Sequence, residues 1–156
     1  MITPQQLTRS PLFAGLTVDQ LVLFTDLAEE VTCSAGNMLF REGNEASHLY
    51  ILLSGKVNVQ VQPTAVTAPV TIVSLSTFGQ LVGWSGFMPP NYYTASALCQ
   101  EDSSLLAFDG ADFNRILEEN PVLGLTIMRR IAEVISQRLR TIQGVVIKSL
   151  YHHDEQ

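Results

Sequence analysis

The chain has 156 residues, 46% of them hydrophobic and 15% charged, which suits one domain with a single buried core and excludes a disordered segment. A formal net charge of −6 argues against an unassisted nucleic-acid binder, because duplex affinity rests on Lys and Arg neutralising phosphates. No apolar run approaches the roughly 20 residues that span a bilayer, and the opening MITPQQLTRSPLF lacks the charged-then-apolar order of a signal peptide, so a cytoplasmic protein with no membrane partner is expected.

Three blocks of one domain follow in order: a helical entry over 1–30, a strand-rich middle over 31–108, and helices with a tail over 109–156. In the first, Thr17 and Gln20 have the spacing of a capping box and Leu16 and Leu21 that of a hydrophobic staple. Together they predict a helix to about Glu29 with Leu21, Phe24 and Ala28 facing inward. From Val31 the period becomes two, most cleanly where Val57, Val59 and Val61 alternate with Asn58, Gln60 and Gln62, the pattern of a half-buried strand. Gly36, Gly43 and Gly55 mark tight turns between short strands. Residues 62–69 (QPTAVTAP) read as an exposed loop, and further strands are expected at about 70–75, 94–100 and 104–108. The middle is thus an antiparallel roll or barrel. Cys33 and Cys99, the only cysteines, each stand alone in strand-like sequence and are expected as buried free thiols.

In the last block Asp109 caps a short helix carrying Phe113, Ile116 and Leu117 inward, and Asn120-Pro121 starts a longer helix that runs to about Lys148. Met128, Ala132, Ile135, Leu139, Ile142 and Val146 recur along it at alternating spacings of four and three, a coiled-coil seam that predicts a homodimer. A neighbouring stripe of Ile127, Ile131 and Val134 is free to pack on the roll; the other reading is one wide core face within a monomer. Gly144 weakens helix propensity by about 1 kcal/mol near the end. Arg129, Arg130, Arg138 and Arg140 read as a solvated helix face.

Read together, SPLFAGL (10–16), AGNMLFREGNEASHLYILLSGKVNV (35–59) and FGQLVGWSGF (78–87) resemble the cyclic-nucleotide-binding domain family over roughly residues 8–143. The resemblance implies a mainly β fold with flanking helices: an antiparallel β-roll of the double-stranded β-helix or jelly-roll type followed by a long C-terminal helix, as in catabolite-activator-like sensor domains. It also implies a phosphate-binding cassette at 78–95, passing through a short helix after Gly79, with ligand contacts at Gly79, Gln80, Leu81, Tyr93, Thr94 and Ala95. In such a cassette backbone N–H groups meet the phosphate, an arginine neutralises it and a glutamate accepts the ribose 2′-hydroxyl. This chain has Gln80 where the glutamate is usual and Tyr93-Thr94-Ala95 where Arg-Ser/Thr-Ala is usual. Gln80 keeps a carbonyl acceptor; Tyr93 can donate a hydrogen bond but carries no charge. Losing the arginine weakens cyclic AMP or cyclic GMP by roughly one to two powers of ten, and Tyr93→Arg with Gln80→Glu is expected to recover about tenfold. Arg41 and Lys56, on neighbouring strands, are the candidates to replace the charge. The rings of Trp84, Phe87, Tyr92 and Tyr93 read as core packing and loop anchors, the alternative being an uncharged or aromatic ligand, and Pro89-Pro90-Asn91 lengthens the cassette's exit.

A cupin-like metalloenzyme is the rival from another class, but His48 is isolated and His152 and His153 stand in a polar tail, short of the three or so ligands a catalytic metal needs. Ser85 lies outside a Gly-x-Ser-x-Gly elbow. One roll histidine and two separated cysteines offer no haem or iron–sulfur ligand set. The few residues after Ile142 leave no room for a helix-turn-helix, so no direct DNA binding is expected. The expectation is a stand-alone, non-enzymatic sensor domain that requires no cofactor and dimerises through its long helix, its downstream protein partner unnamed by the sequence. The alternative is a ligand-free dimerisation or docking module.

Overall fold

The computed structural model describes residues 1–154. Its entry begins with a capping box that sequence reasoning passed over: Thr3 accepts from the Gln6 N–H and Gln6 returns a bond, starting α1 (Pro4–Leu7). The expected box of Thr17 and Gln20 starts α2 (Val18–Thr25), which buries Leu21 and Phe24. This helix ends at Thr25 instead of about Glu29. The reason is tertiary, because Glu29 and Glu30 already pair with Ala107 and Leu106 as the first residues of β1 (Glu29–Cys33), so the first block closes two residues before the expected position 30. Ala28 is left half-buried.

Seven more strands follow: β2 (Met38–Phe40), β3 (His48–Ser54), β4 (Val57–Val61), β5 (Val70–Leu75), β6 (Leu81–Val82), β7 (Ser96–Cys99) and β8 (Ser103–Asp109). They form two four-stranded antiparallel sheets, ordered β1-β8-β3-β6 and β2-β7-β4-β5, which is the expected β-roll. Between the sheets lie Leu52, Val57, Leu75, Val82, Ala97, Cys99 and Leu105. On the other side of the first sheet Leu49, Ile51, Leu81, Leu106 and Phe108 pack with Phe13, Phe24, Phe113, Ile127 and Ile131. Strand β8 therefore sends Leu105 into the roll and Leu106 toward the helices, so it is apolar at consecutive positions where a half-buried strand would alternate.

The expected alternation in β4 breaks down at its far end. The register against β5 shifts between Val59 and Gln60, and Gln60 is buried while Val61 is partly exposed; a bulge re-aims the side chains beyond it. Cys33 and Cys99 are buried and free. Burial, with Cys33 alongside, pushes the Cys99 thiol up to about 12, which keeps it protonated and unreactive at neutral pH.

Asp109 caps α3 (Gly110–Glu119) by accepting from the Asp112 N–H at 2.9 Å, and Phe113 and Leu117 are buried beneath it. Asn120 uses its side chain differently from the expected cap: its Nδ2 donates back to the Ile116 carbonyl at 2.9 Å, closing α3, while its backbone carbonyl accepts from the Gly124 N–H at 2.7 Å. Helix α4 (Pro121–Asp154) passes Gly144 and Lys148 without interruption. Residues 155 and 156 of the expected tail lie outside the described residues. Among the described residues no helix is long and apolar enough to cross a membrane.

Candidate functional site

Residues 78–95 run along the roll and under α4. Gly79 holds φ 90° with a Cβ position only 2.6 Å from the Ser10 Cα, so no other residue fits there without moving that backbone. One residue further on, Leu81 and Val82 are taken by pairing with Ile51 and Tyr50. The short helix therefore follows Gly83 (φ 76°) instead of Gly79, and it is a single 3-10 turn, Trp84–Gly86. At the exit Asn91 fastens the Pro89-Pro90 segment: its Nδ2 donates to the Ser85 carbonyl at 3.1 Å and its own carbonyl accepts from the Ala46 N–H at 2.7 Å.

A cavity of about 230 Å³ opens between β4, β5, the cassette and α4. Val59, Val61, Ile72 and Val73 form one wall, Phe40 and Tyr93 the floor with Gly83, and Trp84, Ser85, Thr94, Ala95, Arg138 and Ile142 the remainder. Among the described residues no carboxylate lines it.

The six expected contact residues do not converge. Tyr93, Thr94 and Ala95 line this cavity, whereas Gly79, Gln80 and Leu81 line a second one, also about 230 Å³, with Pro11, Leu12, Val134 and Gln137. Strand β6 accounts for the split, because Leu81 joins the helix-side core and Val82 the roll interior. The Gln80 carbonyl expected for a ribose is already engaged: Oε1 accepts from the N–H groups of Ser76 and Thr77 at 3.0 and 2.9 Å. The Tyr93 hydroxyl is engaged too, donating to the His48 carbonyl at 2.8 Å. Its buried ring stacks on Phe40 with centroids 3.8 Å apart and planes 9° apart. Burial first, and then the neighbouring Tyr50, raise its pKa, so the phenol stays neutral.

Neither expected replacement cation reaches the main cavity. Arg41 lines a separate surface hollow with Glu42 and Gln62, and Lys56 lies at the other end of β4, its backbone N–H bonded to Ser103 Oγ. Of the four rings, Trp84 and Tyr93 line the cavity; Phe87 packs edge-on against Phe113 in the helix-side core, and Tyr92 is 55% exposed. His48 has its Nδ1 2.8 Å from Ser47 Oγ, and among the described residues no group of three or more potential metal ligands forms.

The cation that does line the cavity is Arg138, which sequence reasoning assigned to a solvated face. Its guanidinium donates to the Leu81 carbonyl and lies over the Trp84 ring, 5.1 Å from the centroid. It borders both cavities. Desolvation lowers its pKa to about 10, which leaves it charged at neutral pH. Arg130 also turns inward, donating to the Leu12 carbonyl at 3.0 Å, while Arg129 and Arg140 stay exposed. A signal for Arg138 was available: it extends the Ile127, Ile131, Val134 stripe by one more helical step, and that stripe packs on the fold.

The seam residues are divided. Met128 (37% exposed), Leu139 (54%) and Val146 (51%) face outward with Ala132, whereas Ile135 packs partly on the helix-side core and Ile142 lines the main cavity.

Comparison with known proteins places this geometry in context. A family model described as "Cyclic nucleotide-binding domain" matches residues 30–120. The chain is 27% identical to the "Cyclic AMP receptor protein" of Thermus thermophilus over 84% of its own length and 58% of the relative's. It is 29% identical to "Lysophospholipase nte1" of Aspergillus oryzae over 79% of its length, yet spans only 8% of that protein. Among solved structures, a "Putative Cyclic nucleotide-binding protein" of Geobacter metallireducens superposes with a TM-score of 0.74 at 29% identity, covering 89% of this chain and 99% of the other.

Proposed function

The chain belongs to the cyclic nucleotide-binding domain family, and on that premise we propose that it is a regulatory domain in which a small molecule in the main cavity is sensed by the long helix. The carrying observation is that Arg138 and Ile142 of α4 form a wall of the same cavity as Trp84, Tyr93 and Thr94. A ligand that fills the space contacts roll and helix together, and it shifts the helix by the difference in its affinity for the two arrangements. The receptor of T. thermophilus supports a regulatory, non-catalytic reading; the lysophospholipase shares only a segment of itself with this chain.

Cyclic AMP and cyclic GMP bind weakly on this reading, because Gln80 and Tyr93 are committed within the fold and Arg41 and Lys56 stand away. Trp84 is the only tryptophan, so its fluorescence, together with calorimetry, reports occupancy of the cavity directly. The expected result is weak or absent saturation by cyclic nucleotides and a copurifying small molecule in native mass spectrometry. Saturation of Trp84 by micromolar cyclic AMP overturns the weak-site reading. Silence toward every small molecule favours the second reading, a ligand-free docking module, for which the self-satisfied Gln80 and Tyr93 speak. We further propose that the molecule works as a cytoplasmic homodimer joined along α4, without direct DNA contact.

A further inference from the structure

The main cavity combines two features that constrain what enters it. Its walls are aliphatic and aromatic, and the side-chain hydroxyls of Ser85 and Thr94 are the polar groups left free at its lining once Tyr93 is bonded to His48. Against this apolar space stands the Arg138 guanidinium, with no carboxylate within ion-pair distance among the described residues. It bonds to the Leu81 carbonyl and lies over the Trp84 ring face. A guanidinium carries five N–H donors in a planar fork, so the site holds a surplus of donors and one uncompensated positive charge.

We propose that the cavity's ligand is an amphipathic carboxylate, with an apolar aliphatic or aromatic body held between Val59, Ile72, Phe40 and Trp84 and its carboxylate paired with Arg138. The proposal rests on the regulatory reading of the same cavity and names its ligand class. A carboxylate matches the guanidinium fork with two parallel hydrogen bonds. A cyclic nucleotide would also bury ribose and base polar atoms against Val and Ile walls, where each lost water contact without a replacement weakens binding. An apolar body avoids that loss. Because Arg138 belongs to α4 and also holds the Leu81 carbonyl, pairing with a ligand draws on the contact that ties the helix to the cassette.

Trp84 fluorescence and calorimetry on the full chain test this with octanoate and 3-phenylpropionate beside octanamide and 3-phenylpropionamide, which keep the body and remove the charge. The carboxylates are expected to bind at least about tenfold more tightly than the amides. Arg138→Gln should bring carboxylate affinity down to that of the amides, while Arg140→Gln, on the exposed face, leaves it unchanged. If Arg138→Gln fails to fold by circular dichroism, the carboxylate-to-amide ratio of the unmodified protein decides alone. Equal affinities, or a carboxylate preference that survives in a folded Arg138→Gln protein, overturn the proposal. Response to cyclic AMP with none to the carboxylates overturns this ligand class and leaves the regulatory reading standing. Silence toward all five probes overturns this ligand class, and the regulatory reading falls with it only if no small molecule copurifies with the protein either.

Discussion

The amide oxygen of Gln80 accepts two backbone N–H groups at the entry to β6, and removing it leaves both to solvent. Gln80→Ala is therefore expected to lower unfolding free energy by about 1–2 kcal/mol in urea titration. Gln80→Glu preserves both bonds with a charged acceptor and should match or exceed the unmodified stability at neutral pH. Two N–H donors favour its ionised form, so its folded pKa falls below the unfolded value of about 4.3; the gain is present above that value and is lost as pH falls through the folded one. Tyr93 has a structural role beside the one expected from sequence. Arginine there was expected to restore phosphate binding, but Tyr93 is buried, stacked on Phe40 and bonded to His48. Tyr93→Phe should cost about 1 kcal/mol for the orphaned carbonyl. Tyr93→Arg should cost more, since it also removes the stack, and thermal unfolding of the two variants checks the order.

Along α4 the inner stripe of Ile127 and Ile131 is buried, while the outer seam begins one step earlier than the sequence pattern marked it, at Leu125, which is 54% exposed. Exposed apolar residues recur on that side of α4 at Leu125, Met128, Leu139 and Val146, interrupted where Ile135 and Ile142 turn inward; such a stripe on a long helix suits a two-helix seam, and a parallel homodimer is the expected outcome in sedimentation at concentrations well above micromolar. A monomer there refutes it. The variant that tests it changes with the structure: Ile135→Glu strikes the monomer's own core as well as the seam, because Ile135 packs on the helix-side cluster. Leu139→Glu touches the exposed row and should weaken dimerisation at least about tenfold while leaving the monomer folded, by placing an unpaired charge in the interface.

For the molecule as a unit, the net charge of −6 and the inward turn of Arg130 and Arg138 reduce the basic surface that α4 presents. No sequence-specific, salt-dependent shift of duplex DNA is expected in mobility assays, since few phosphates can be neutralised; a shift with sequence preference would sink that expectation.

Much of the architecture was legible from local chemistry. The Thr17–Gln20 box, the Asp109 cap, the loop at 62–69, strand β5 and the glycine turns each depend on a few neighbouring residues, so their signals lie within one window of sequence. The resemblance that marks residues 78–95 as a cassette likewise rests on a short run of neighbouring residues. Tertiary pairing decided the rest. Glu29 is strand because β8 offers a ladder, Gln60 is buried because β5 shifts register, and the short turn follows Gly83 because β3 claims Leu81 and Val82. The contents of the site were least legible, since whether Gln80 or Tyr93 is available to a ligand depends on which distant backbone groups reach them first. Arg138 becomes the cavity's cation only when α4 folds back across β6, and a contact spanning 57 positions of the chain leaves no local trace.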